Sequence, residues 1–449
     1  MIMMNFNYDL EPTGDYAFID MKSFYASCEL VARGRHLLKD LLVVMSQADN
    51  TSGLILASSP MAKKAFGISN VTRSWELPTV EENPMMKKLI VAPPRMRYYI
   101  VENLKIQKIV RKYAADEDIM WYSIDEGVVE LTHSLNYFVP DKSLTRKEKL
   151  NIVSQMIQKD ILRETGIYST VGMSNSNPLL AKLALDNEAK STVNMRASWN
   201  YSDVETKVWA MPEISDFWGI GHRMKQNLYN MGVSTIYDLA HATPYRLKEK
   251  FGVIGLQLYH HANGIDRTKI QERYVPKSEN LGNSQILPRY YKGDEMPLVI
   301  REMAEQVAIR LRRRQAKTST VNLSIGYSKD ELEKGFSRQL KITPTDNTDK
   351  LAGHLLYLFN KFYTGCLVRN IGVSYSGLLY HAGSQLNLFE EPEEQIKNEK
   401  LDQIMDQIRE KYGFVSIVRA SSTLEHARSL SQANLVGGHA GGAGGLDGL

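Results

Sequence analysis

Over its first 190 residues the chain alternates short apolar runs with amphipathic stretches. Residues 16–21, Tyr-Ala-Phe-Ile-Asp-Met, read as a strand that runs into a helix start by 30. Two further apolar runs of strand length lie at 41–45 and 53–58, a helix follows at 60–66, and the Pro93-Pro94 pair closes that segment. A helix over 98–114 leads to an acidic pair of strands at 119–131. Within it Asp125-Glu126-Gly127 separates two apolar stretches; a hairpin with its acids at the turn and one continuous strand both fit. Helical periodicity returns at 147–164, then a strand at 168–173 and a helix at 179–189.

The pattern changes after 212. Residues 212–264 are helical, with Gly-Ile-Gly at 219–221 and glycines at 232, 252, 255 and 264; a polar stretch from 266, with Pro276, reads as a linker. From 281 to 380 the order is strand 282–290, helix 297–314, strand 319–327, strand 335–342, helix 348–362 and strand 368–378. That is a β-α-β-β-α-β unit. From 383 the chain is polar and acidic to about 410 and ends in Gly-rich sequence around 437–442, for which disorder is expected.

At 449 residues several domains are expected, and 43% hydrophobic with 24% charged residues is the balance of a soluble globular protein. The net charge of +4 does not by itself signal nucleic acid, so local patches must supply any contact. Cys28 and Cys366, alone, give neither metal spacing nor a disulfide framework and read as reduced thiols. Residues 1–9 lack the build of a signal peptide, and no apolar run is long enough for a bilayer. A cytoplasmic protein with no membrane partner is expected.

The chemistry begins with the acids. Burying an unpaired charge in an apolar strand is costly, so carboxylates at 20, 125 and 126 need a partner. Mg²⁺ takes hard oxygen ligands, and a pair of ions suits phosphoryl chemistry. The competing reading is unrelated edge-strand acids facing water. Phe24-Tyr25 follows the Asp20 strand within a turn, placed either beneath the sugar of a nucleotide or in the core. Residues 214–240 have helix-hairpin-helix spacing, in which Gly219 and Gly221 let backbone N–H groups approach a phosphate; a plain helical hairpin with glycine caps is the alternative. Arg310, Arg312, Arg313, Arg314 and Lys317 crowd the end of one helix, and Lys334, Arg338 and Lys341 flank the third strand of the unit, more cations than a helix dipole needs. Gln385-Leu386-Asn387-Leu388-Phe389 stands alone in the polar tail, either as a recognition anchor or docked on its own domain.

These residues together resemble the Y-family translesion DNA polymerases, in particular the UmuC-like UV-damage repair branch of Gram-positive type. The resemblance rests on Ile19-Asp20-Met21 with residues 24–29, on residues 122–126, on Leu180-Ala181-Lys182-Leu183-Ala184, on the 217–240 hairpin and on residues 368–373. It implies an α+β multidomain right hand: palm at 14–37 and 93–185, fingers at 38–92, helical thumb at 186–270, linker at 271–280, little finger at 281–382, and a tail at 383–449 carrying a sliding-clamp motif at 385–389. It further implies that Asp20, Asp125, Glu126 and the Met21 carbonyl bind two Mg²⁺ ions, that Tyr25 is a steric gate against ribonucleotides, and that Ser23, Phe24, Tyr25, Lys64 and Lys182 meet the dNTP. Gly219, Gly221, Arg223 and the basic residues Arg310, Arg312, Arg313, Arg314, Lys317 and Arg338 would hold primer-template DNA; Gln385, Leu386, Leu388 and Phe389 would hold the clamp.

This chain departs from the family pattern in four places. It has Met61 and Lys64 where Tyr and Arg are common, and Gly127 where Ala is usual. It also lacks a lysine in Ser174-Asn175-Ser176-Asn177-Pro178. The expected activity is error-prone, DNA-directed DNA synthesis past damaged template bases, without proofreading and under SOS control. Two alternatives stand beside it. One is another enzyme on a similar metal-binding palm, such as a nucleotide cyclase. The other is a weak or inactive relative acting as a DNA- and clamp-binding accessory protein, which the missing lysine alone supports.

Overall fold

The computed structural model describes residues 6–46, 53–69, 71–272, 274–381, 392–433, 435–436 and 439–440. The chain divides into two compact units, one of residues 1–94 and 98–273, the other of 95–97 and 274–449.

The first unit runs β1 (Tyr16–Met21), α1 (Phe24–Ala32), β2 (Leu42–Met45), β3 (Ile55–Ser58), α2 (Pro60–Phe66), β4 (Ile90–Ala92), α3 (Met96–Val110), β5 (Ile119–Trp121) and β6 (Glu126–Glu130). It continues with α4 (Leu135–Phe138), α5 (Arg146–Thr165), β7 (Ser169–Ser174), α6 (Pro178–Asn187), β8 (Arg196–Ser198), α7 (His222–Tyr229), α8 (Ile236–His241), α9 (Pro244–Phe251) and α10 (Val253–Ala262). Its main sheet has the order β5-β6-β1-β7-β8, with β1 at the centre and antiparallel to both neighbours. A central strand is covered on both faces, which is why β1 reads as a continuous apolar run broken only at Asp20.

Helices α5 and α6 pack on β7, and α6 also on β1. The approach is so close at Gly172 that a Cβ there would overlap the Ala181 carbonyl oxygen and the Leu185 nitrogen. Helix α6 starts at an Asn177 cap with Pro178 in its first turn, and it buries Leu179, Leu180, Leu183 and Leu185. Each such leucine contributes roughly 1.5–3 kcal/mol. A smaller sheet, β3-β2-β4, packs with α2 around Val43, Met45, Ile55 and Ala62. The helices α7 to α10 enclose Phe217, Ile220, Leu228, Ile236, Leu239 and Leu258.

The second unit runs β9 (Leu281–Tyr291), α11 (Met296–Arg313), β10 (Ala316–Tyr327), β11 (Gly335–Thr345), α12 (Thr348–Phe362), β12 (Val368–Tyr380) and α13 (Pro392–Tyr412). Up to β12 this is the β-α-β-β-α-β order read from the sequence. The sheet order is β11-β10-β12-β9, antiparallel throughout. Strand β10 alternates: Val321, Leu323 and Ile325 join the core under α11 and α12, while Asn322 and Ser324 line the opposite face.

The tail carries structure that the sequence reading did not assign. Beyond the Gln385–Phe389 motif, which lies outside the described residues, α13 and the chain to 433 dock on α11 and α12. Arg409 is buried against Glu305 at 3.1 Å, and its guanidinium sits over Phe414. Phe414 and Ala433 pack on Ile309. Gln432 bonds to Gln306, and the Asp402 carboxylate accepts the Thr348 N–H that opens α12. Polar composition concealed this because the docked face is held by buried ion pairs more than by apolar side chains. Among the described residues no helix is long and apolar enough to cross a membrane, and neither cysteine is in a disulfide.

Candidate active site

The hairpin reading of the acidic segment holds. Tyr122 and Ser123 donate their N–H groups to the Glu126 carbonyl at 2.9 and 3.1 Å, which closes the turn between β5 and β6. The Met21 N–H donates to the Asp125 carbonyl at 2.9 Å, tying the turn to β1. In the β1–β6 register Asp20 stands opposite Glu126. The three carboxylates therefore meet at one end of two adjoining strands, with Ser123 Oγ donating to Asp125 at 2.7 Å. Burial pushes the Asp125 carboxyl above its ordinary range, Asp20 and Glu126 add to that, and the Ser123 bond opposes it.

Lysines hold two of these acids. Lys182 Nζ lies 2.7 Å from Glu126 Oε2 and 3.2 Å from Asp186; Lys190 Nζ lies 2.9 Å from Asp20 Oδ2 and 2.8 Å from Asp186. Burial works to lower the Lys190 ammonium's pKa, but Asp20 and Asp186 outweigh it and raise it. Among the described residues no three His, Cys, Asp or Glu side chains converge tightly enough to cage a metal in this arrangement. The chemistry of the donor set still suits Mg²⁺: Asp20 and Asp125 line one cleft and Glu126 stands opposite Asp20, and all three offer hard oxygen ligands.

A cleft of about 440 Å³ opens in front of Asp20 and Asp125. The segment 21–25 forms one wall, with Lys63 and Lys190 on the others. Ser23 takes a left-handed backbone (φ 48°, ψ 53°) as it caps α1, and its side chain makes no cap bond. The first N–H groups of α1 thus point out of a helix start without a side-chain acceptor, a ready place for an anion. Phe24 is buried and lines the cleft with its neighbours. Tyr25 stacks on Tyr99 with ring centroids 4.5 Å apart, and the Tyr99 hydroxyl donates to the buried Glu29 at 2.9 Å. Burial and then Asp125 raise the Tyr25 hydroxyl's pKa.

Two of the lysines expected at the nucleotide lie off this cleft. Lys64 is exposed and does not line the cleft; Lys63 does, because successive residues of α2 point about 100° apart. Lys182 does not line it either: it is buried behind Glu126, over the Phe18 ring. Lys63, Asp186 and Lys190 were missed. The available signal covered only Lys182 and Asp186, which stand four apart on one face of α6; Lys190 lies past the end of that helix.

Elsewhere in the first unit, Gly219 has φ +95°, and Gly221 caps α7 with no side-chain bond, leaving Arg223 exposed beside it. In the second unit Arg310, Arg313 and Arg314 are exposed; Arg310 donates to the Gly282 carbonyl, and Arg314 lies 3.4 Å from Glu279. Lys317 is half-buried, and Arg338 lies over the Phe362 ring on edge strand β11. Arg312 is the exception among these basic residues. It is buried in ion pairs with Asp402 at 3.3 Å and Asp406 at 2.6 Å, because its face of α11 is the one α13 covers, so it is not a DNA contact.

Three family models match the chain: "impB/mucB/samB family" over 19–186, "DNA polymerase-iota, thumb domain" over 215–266, and "impB/mucB/samB family C-terminal domain" over 278–388. "Putative UV-damage repair protein UvrX" of Bacillus subtilis (strain 168) is 39% identical over 96% of this chain and 99% of its own length. "DNA polymerase IV 2" of the same organism is 33% identical over 94% of this chain and 97% of its own. A solved Y-family DNA polymerase chimera shares the fold, with a TM-score of 0.62 at 18% identity, over 82% of this chain and 100% of that one.

Proposed function

This chain belongs to the impB/mucB/samB family of Y-family DNA polymerases, and from that premise we propose how its residues carry out synthesis. It is a DNA-directed DNA polymerase that acts in repair and translesion synthesis. The primer 3′-hydroxyl attacks the α-phosphate of a dNTP in line, and pyrophosphate leaves. The observation that carries the residue assignment is Asp20, which stands opposite Glu126 across β1 and β6 and lines one cleft with Asp125.

Asp20, Asp125, Glu126 and the Met21 carbonyl would hold two Mg²⁺ ions. When bound, such ions lower the pKa of an attacking hydroxyl and neutralise charge on the phosphates. The N-terminus of α1, at Ser23 to Tyr25, and the ammonium groups of Lys63 and Lys190 receive the triphosphate. Tyr25, held against Tyr99, lies where a ribose 2′-hydroxyl would collide with its ring. Gly219, Gly221 and Arg223 take one stretch of DNA backbone; Arg310, Arg313, Arg314, Lys317 and Arg338 take another. Gln385 to Phe389 would engage a sliding clamp, and the protein would work in the cytoplasm. The palm, fingers, thumb and little-finger boundaries given above belong to this reading.

The test is primer extension on undamaged and lesion-bearing templates, with and without Mg²⁺. Extension past the lesion that needs Mg²⁺ and vanishes in Asp125→Ala supports the reading. Extension retained by Asp125→Ala refutes the metal assignment.

A further inference from the structure

Glu126, Lys182, Asp186, Lys190 and Asp20 form one unbroken chain of alternating charge, with every link at 3.2 Å or less. Four of the five are proposed metal ligands or the cations paired with them. Asp186 is neither: it sits in the last turn of α6, between the two ammonium groups. Its side chain is 29% exposed.

Counting charges shows what it does. Two lysines face two strand carboxylates, which they would neutralise one for one. A divalent cation would then have to displace an ammonium from each. Asp186 is a third carboxylate on the same two ammonium groups, and it gives each lysine somewhere else to go.

We propose that Asp186 is a positioning residue that shares Lys182 and Lys190 with Glu126 and Asp20, and so gives each lysine a second carboxylate to hold when divalent cations take up the first. This rests on the metal assignment above. Asp186 touches neither substrate nor metal in it; it acts through the lysines.

The test is Mn²⁺ binding to the full-length protein without DNA, followed by the electron paramagnetic resonance signal of free Mn²⁺. Asp186→Asn is expected to weaken binding about fivefold, and Asp186→Glu to restore it. Lys190→Gln, which removes one competitor, is expected to tighten binding. In the Lys190→Gln background the Asp186→Asn penalty should fall to about half, since only Lys182 then remains to collapse on a carboxylate. An equal penalty in both backgrounds would mean that Asp186 acts only through its field, and the proposal falls. No penalty in either overturns it too. Asp125→Ala separates this failure from that of the metal assignment. If Asp125→Ala binds Mn²⁺ as the parent does, the assignment is wrong; if it loses binding while Asp186→Asn is silent, only the role of Asp186 is wrong.

Discussion

Asp20 on β1 and Glu126 on β6 are direct cross-strand partners. Like charges in that position repel. Here each is held by its own lysine, Lys190 for Asp20 and Lys182 for Glu126. Asp125, next in the chain before Glu126, makes no ion pair with a lysine or arginine among the described residues, and burial is the first cause that raises its pKa.

Asp125→Asn should therefore separate stability from activity. The folded-state pKa of Asp125 lies above its unfolded value, because burial and its anionic neighbours disfavour the charge. Such a carboxyl costs stability once the pH exceeds its folded pKa, and costs nothing below the ordinary carboxylate range, where both states are protonated. The variant should melt higher than the parent at pH 7, with the gap closing as the pH falls through about 4. Primer extension should drop by on the order of a thousandfold or more. A melting gap that widens on acidification would contradict the assignment of cause.

Tyr25→Ala is expected to raise ribonucleotide incorporation about a hundredfold relative to deoxyribonucleotide. Tyr25→Phe, which keeps the ring on Tyr99, should leave sugar selectivity near the parent's. Single-nucleotide insertion kinetics with paired dNTP and rNTP would check this, and unchanged selectivity in the alanine variant removes the gate.

Neighbouring lysines should behave differently. Lys63→Ala is expected to raise the KM for dNTP by about tenfold, since a cation at the cleft wall is worth on the order of 1–2 kcal/mol toward a phosphate. Lys64→Ala should stay within about twofold. Equal effects would mean that α2 rotates when substrate binds.

The arginines at the end of α11 divide in the same way. Arg313→Ala should weaken DNA binding across all sequences and lower the salt dependence by about one phosphate contact. Arg312→Ala should leave the salt dependence unchanged but cost about 3 kcal/mol of stability in urea, because Asp402 and Asp406 are left buried without their partner.

Much of this was legible in the chain. The apolar run of β1 and the order of the second unit followed from period-two patterning, and the helices of the first unit from their caps and periodicity. The departure at Gly127 also has a local cause: a Cβ there would lie 2.8 Å from the Trp121 ring. What could not be read was pairing over distance. Arg312 and Arg313 are adjacent and chemically identical, and only the docking of α13 decides that one is buried. Lys63 and Lys64 differ only in rotation about a helix axis. Lys190 lies past the end of α6, where no periodicity reaches, yet it holds Asp20.

The docking of α13 also bears on how this protein is to be cut. A stop codon placed after β12 would remove the clamp-like segment, but it would also strip Glu305 and Arg312 of their counter-ions and expose Ile309. Loss of synthesis in such a truncation would then report a weakened domain as readily as a lost partner. Leu388 and Phe389 are better changed singly in a chain that keeps its end, because for the second unit residues 402–433 are keel rather than cargo.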